Sequence, residues 1–167
     1  MARVFAGLAA SNVILMIVVF GLGFGAVGAD RRPTDVYAVH LTLGILAGLF
    51  CALTHVSAFT YFMATSRWLR EAAVKGALEE REVVEPALRR KTRALALAMT
   101  AIAVTVITMF MGAAVDPAVR LEIPSTVHLA LGLLAIVMNL GCAAAEFQLI
   151  RVQSEVMDAV AARLNTS

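Results

Sequence analysis

Four apolar stretches run along this chain and are separated by short polar segments. Each is longer than the about 20 residues that a helix needs to cross the about 30 Å apolar core of a bilayer. Lipid offers no hydrogen-bond partners, so backbone groups must pair within the segment, which favours α-helices. The stretches run from Val4 to Val27, from Tyr37 to Ala64, from Ala94 to Val115 and from Thr126 to Ile150.

The connections between these stretches predict how the helices pair. Residues 28–33 and 116–118 are short and rich in glycine, proline and aspartate, which are typical of turns. The pattern predicts an all-α, four-transmembrane-helix bundle built from two tandem helical-hairpin repeats, forming one integral membrane domain over residues 1–167. Its parts are hairpin one (4–64), a helical connector (65–93), hairpin two (94–150) and an amphipathic tail (151–167).

Basic residues predict the orientation of the bundle. Residues 66–93 hold eight of the 14 Lys and Arg residues, and such segments favour the cytoplasmic side of a membrane. This predicts an inner-membrane protein with both termini in the cytoplasm. The small net charge of +2 gives no reason to expect a nucleic-acid partner.

Helix-forming residues continue beyond the apolar stretches on the cytoplasmic side. The second helix is expected to run past Trp68, and Pro86, which suits the first turn of a helix, is expected to start the third. The resulting helical extensions would offer a surface for a protein partner or for a second copy of the chain.

A nine-residue pattern occurs twice. Val39 to Ala47 reads VHLTLGILA, and 88 positions later Val127 to Ala135 reads VHLALGLLA. His40 and His128 therefore lie at the same depth of two helices, and ionisable side chains within membrane segments usually face the protein interior. Two imidazoles facing each other would supply both axial ligands of one low-spin haem.

Neighbouring residues extend this hypothesis. Gly44 and Gly132, one turn below the histidines, would leave room for the porphyrin faces. Arginines of the outer loops would pair with the haem propionates: Arg31, Arg32 and Arg120. The alternative is that both histidines are interfacial polar residues at helix starts, bonded to backbone or water.

A second polar site is predicted closer to the cytoplasmic face. His55 lies about 22 Å below His40 along the same helix, too far away to share a metal with it. Its repeat equivalent is Ala143, and Glu146 follows within one turn, so a contact between His55 and Glu146 is expected. It would form a proton or quinone site or, as the favoured interpretation, a hydrogen bond between helices, which is also expected of Asn12 and Asn139.

The paired histidines and the four-helix plan resemble small membrane b-type cytochromes, including the haem-bearing anchors of respiratory enzymes. The resemblance covers about residues 4–150. It implies haem b and electron transfer with a quinone or a partner subunit.

The sequence therefore favours a membrane haem protein for electron transfer or redox sensing, rather than a stand-alone enzyme. Two other classes stay open. One is a non-catalytic scaffold or accessory subunit of a larger complex, and the other is a small transporter or channel.

Overall fold

The computed structural model describes residues 1–28, 32–76, 78–116, 119, 121 and 123–166. Within these residues the chain forms four long helices and no β-strand. The helices are α1 (Ala2–Ala26), α2 (Tyr37–Lys75), α3 (Glu80–Ala114) and α4 (Ser125–Thr166).

All four helices are long and apolar enough to cross a membrane. The shortest, α1, has 25 residues and the longest, α4, has 42, which correspond to about 37 Å and 63 Å of helix. Large apolar side chains point outward from the bundle, among them Phe24, Leu49 and Phe110, which are 67%, 66% and 73% exposed. Such a surface suits contact with lipid rather than with water.

The central diagonal of the bundle consists of α2 and α4, each of which contacts the other three helices. Buried residues on these helices recur every seven positions, as in left-handed coiled-coil packing. On α2 the series is Cys51, Ala58, Thr65 and Ala72, and on α4 it is Asn139, Glu146, Gln153 and Val160. Three alanines on α3, Ala87, Ala94 and Ala101, follow the same spacing and allow close approach.

The bundle interior alternates between apolar and polar layers. An apolar layer around Phe5, Phe62 and Ile150, all fully buried, separates two clusters of hydrogen-bonded side chains. One cluster surrounds Asn139, and the other surrounds Gln153. The order of the layers follows from the order of these residues along each helix.

The extensions of α2, α3 and α4 beyond the apolar stretches have a core of their own. Its buried residues are Leu69, Ala72, Val83, Ala87 and Val160, and Trp68 packs against them. The prediction that the second helix continues past Trp68 is confirmed, since α2 ends at Lys75.

The prediction that Pro86 starts the third helix was wrong. Helix α3 begins at Glu80 and contains Pro86 within it. Proline lacks the N–H that would pair with the carbonyl one turn earlier, so the helix loses a hydrogen bond there. Burial of Val83 and Val84, each only 4% exposed, stabilises the turn before the proline.

The extension core makes a prediction about stability. Leu69 is fully buried, so Leu69→Ala should destabilise the protein by about 2–5 kcal/mol through lost burial and a residual cavity. Val74→Ala, at a position 78% exposed, is the matched control and should change little. The fluorescence of Trp68, the single tryptophan, reports the unfolding of this region in detergent. Equal stability of the two variants would show that the extension core contributes nothing.

Candidate functional site

His40 and His128 meet across the central diagonal of the bundle. Each lies in the first turn of its helix, α2 or α4. The centres of the two imidazole rings are 6.3 Å apart, and the ring planes are nearly perpendicular, at 83°. Both side chains are half-buried. The pair is therefore a contact between the two halves of the chain.

A backbone carbonyl of α1 orients the His40 ring. Nδ1 of His40 lies 3.0 Å from the carbonyl oxygen of Val19. A carbonyl only accepts hydrogen bonds, so Nδ1 carries the hydrogen and donates it. In the neutral ring, Nε2 then keeps the lone pair. A histidine that binds a metal through one ring nitrogen is usually oriented in the same way, by a hydrogen bond that its other ring nitrogen donates.

The surroundings of His128 repeat this arrangement on α3. The backbone carbonyl of Thr108 interacts with the His128 ring. Thr108 follows Val19 by 89 positions, which is close to the 88 positions that separate the two histidines. Nδ1 of His128 is nevertheless buried without a well-aligned hydrogen-bond partner among the described residues. Each imidazole is thus held against the helix that precedes its own in the chain.

Two glycines that the sequence reasoning missed lie directly against the imidazoles. A Cβ atom at Gly23 of α1 would lie 3.2 Å from Cε1 of His40, and one at Gly112 of α3 would lie 2.9 Å from Cε1 of His128. Both positions allow the ring to pack on bare backbone. Their signal in the sequence is that each precedes its histidine by a nearly equal interval, 17 and 16 residues.

The two glycines that were predicted to face a porphyrin lie against side chains of α1. A Cβ atom at Gly44 would be 3.8 Å from Val19 Cγ1, an ordinary contact. One at Gly132 would be 3.1 Å from Cδ2 of Phe20. The side chains of Val19 and Phe20 therefore occupy the space beside these two glycines.

Of the three arginines predicted to pair with propionates, Arg31 and Arg120 lie outside the described residues. Arg32 is exposed in the connection between α1 and α2, where its carbonyl oxygen accepts a hydrogen bond from the N–H of Gly28. The Tyr37 hydroxyl donates to the carboxylate of Asp116. This bond links the start of α2 to the end of α3 at the same end of the bundle as the histidines.

The second predicted site is a closed contact in the bundle interior. Nδ1 of His55 lies 2.7 Å from Oε2 of Glu146, and both side chains are fully buried. The other carboxyl oxygen, Oε1, is buried and has no hydrogen-bond partner within the described part of the chain.

The amide of Asn139 joins this pair to all four helices. Its Oδ1 lies 3.1 Å from His55 Nε2, 3.1 Å from Cys51 Sγ and 3.4 Å from Asn12 Nδ2. Its Nδ2 donates to Thr105 Oγ1 at 3.0 Å. The expected hydrogen bonds of Asn12 and Asn139 between helices are therefore confirmed, but the central position of Asn139 was not foreseen.

The orientation of this amide determines the proton positions in the cluster. Nδ2 of Asn139 also lies 2.8 Å from the carbonyl oxygen of Ala135, which can only accept, so the amide nitrogen must point there. Oδ1 then accepts from His55, which places a hydrogen on Nε2. One further proton lies between Nδ1 and Glu146, either on the carboxyl group or on the imidazole.

The His55–Glu146 pair therefore has no net charge in either arrangement of that proton. A pair without net charge avoids the large free-energy cost of burying an unpaired charge away from water. Chemically, the pair can hold one proton and move it between Nδ1 of His55 and Oε2 of Glu146.

Comparisons with family models, with curated proteins and with solved structures found no match to this chain.

Removing the Asn139 amide tests whether it holds the helices together. Asn139→Leu eliminates the four contacts between helices, and at about 0.6 kcal/mol each the loss should be about 2 kcal/mol. The control is Thr100→Ala, since the Thr100 hydroxyl is exposed and bonds only to its own helix. Thermal unfolding in detergent measures both. A loss no larger than that of the control would contradict a central role for Asn139.

The glycine contact of His128 makes a second prediction. Gly112→Ala should displace the His128 ring, because the new methyl group would lie 2.9 Å from it, whereas Gly44→Ala introduces only an ordinary contact. The chain has three histidines, so ¹⁵N-histidine labelling gives a simple NMR spectrum. The first variant should shift the His128 signals, and the second should leave them in place. Unshifted signals in Gly112→Ala would show that the ring does not pack on Gly112.

Proposed function

We propose that this protein is a membrane electron carrier that binds one b-type haem through His40 and His128. The observation that supports the proposal is the spacing of the two imidazoles. Two rings bound to one metal at about 2 Å per metal–nitrogen bond have centres about 6 Å apart. The 6.3 Å between these rings matches that requirement.

The chemistry of the surrounding residues also fits a haem. Nδ1 of His40 is occupied by the Val19 carbonyl, so Nε2 is the nitrogen that would bind iron. The His128 ring interacts with the backbone carbonyl of Thr108, but its buried Nδ1 has no well-aligned partner among the described residues, so this ring is held less firmly than that of His40. When bound, the haem would supply reversible one-electron transfer, for electron transport or redox sensing. Arg32, with Arg31 and Arg120, would neutralise the propionates.

The membrane context of the proposal rests on the charge distribution. We place the protein in a bacterial-type inner membrane, with the basic segment 66–93 and both termini in the cytoplasm. The two hairpins are then tandem repeats, an assignment supported by the equivalent contacts of Val19 and Thr108. The extension core would dock a redox partner, an accessory protein or a second copy of the chain. A quinone is a further candidate partner.

The apolar layer favours an electron carrier over a channel. Phe5, Phe62 and Ile150 close the interior between the two polar clusters. Electron transfer needs no continuous wet path, whereas ion flux does. The scaffold alternative requires only the extensions, and it predicts that the histidine pair can be lost without functional effect.

Visible spectroscopy tests the haem proposal. Protein purified from cells with adequate haem supply should show a reduced-minus-oxidised haem spectrum. His40→Ala and His128→Ala should each abolish it, since one remaining ligand does not make a low-spin bis-histidine haem. Thr100→Ala is the control, because the Thr100 hydroxyl is exposed and bonds only to its own helix, and this variant should leave the haem bound. Colourless folded wild-type protein, or a spectrum that survives both alanine variants, would refute the proposal.

A further inference from the structure

A groove of about 580 Å³ lies between α3 and α4 where the apolar stretches end. Its polar lining comes from Arg90, Arg93 and Gln148. Ala96, Leu97 and Ala145 line the part that continues along the apolar stretches of the two helices. The groove therefore has a basic end and an apolar end.

Arg90 is held in place by neutral partners. Its Nε donates to Oε1 of Gln153 at 2.7 Å, and Nε2 of the fully buried Gln153 donates to Thr65 Oγ1 at 3.0 Å. Nη2 of Arg90 is buried and lacks a hydrogen-bond partner among the described residues. In the same part of the chain, Arg90 and Arg93 form no ion pair with a carboxylate. The basic end of the groove thus has uncompensated positive charge.

A second groove, between α2 and α3, provides a contrast. It contains Arg67, Arg70 and Lys91, but it also contains Glu71, whose carboxylate lies 3.0 Å from Arg67. Its positive charge is partly neutralised by the protein itself. Of these two grooves, the one with Arg90 and Arg93 combines arginines that form no ion pair among the described residues, a pre-oriented guanidinium and an apolar continuation.

We propose that the groove between α3 and α4 binds an anionic membrane phospholipid. The exposed guanidinium of Arg93 recognises the phosphate, since arginine matches phosphate oxygens with paired N–H donors, and the guanidinium of Arg90 adds a second positive charge. Basic pockets between helices at the membrane surface bind anionic headgroups in this way. An acyl chain then lies along Ala96, Leu97 and Ala145, which favours a lipid over free phosphate.

Native mass spectrometry of the full-length protein released from nanodiscs tests this site. The nanodiscs contain phosphatidylcholine and phosphatidylglycerol in equal amounts, and the wild type should retain phosphatidylglycerol preferentially. Arg93→Gln removes one positive charge, and Gln148→Glu adds a negative one. Each should weaken the preference about fivefold, as expected for one charge near a membrane surface. Both side chains are exposed, so the fold should be retained.

Arg70→Gln, in the second groove, is the matched control because it changes the net charge as much as Arg93→Gln does. It should keep the wild-type preference. No preference in the wild type, or an equal loss in Arg70→Gln, would overturn the proposal. Displacement of the retained lipid by millimolar inorganic phosphate would also overturn it, because the site would then be a phosphate site rather than a lipid site.

Discussion

A single amide, that of Asn139, constrains how the four helices fit together. In a lipid-facing bundle, no water competes for its hydrogen bonds, so its oxygen and nitrogen must find partners inside the protein. They find them on α1, α2 and α3. The register of α2 against α4 at this level also sets their register one layer above. The meeting of His40 and His128 therefore depends on contacts about 16–22 Å away along the helices.

Much of this architecture could be predicted from the sequence because membrane helices are defined by length and apolar composition. The four helices were predicted in this way, and the repeat offset correctly indicated that His55 and Glu146 lie close together. The start of α3 was not predicted, since local proline rules do not account for the burial of Val83 and Val84. Gly23, Gly112 and the central role of Asn139 depend on how the helices rotate and approach, which a one-dimensional pattern does not contain.

The two halves of the molecule surround their histidines in the same way, but the contact between ring and carbonyl is better formed at His40 than at His128. A backbone carbonyl and a glycine of the preceding helix border the imidazole in both hairpins. The carbonyl bond of His40 is well formed, whereas Nδ1 of His128 has no well-aligned partner among the described residues. If both rings bind one iron, the better-anchored His40 would be the more basic ligand and His128 the more readily adjusted one.

The apolar layer around Phe5, Phe62 and Ile150 determines where an electric field would act. Glu146 and Gln153 are seven residues apart on α4, about 10 Å of helix, and the described side chains between them at the bundle centre are apolar. Apolar side chains offer no hydrogen-bonding groups along which a proton could move, and their dielectric constant is low. A second apolar layer, around Met16, Ala47 and Ala135, lies on the other side of His55 and Glu146. In an energised membrane, much of the voltage would therefore drop across these two dielectric slabs, and the proton of the buried pair would be insulated from both faces.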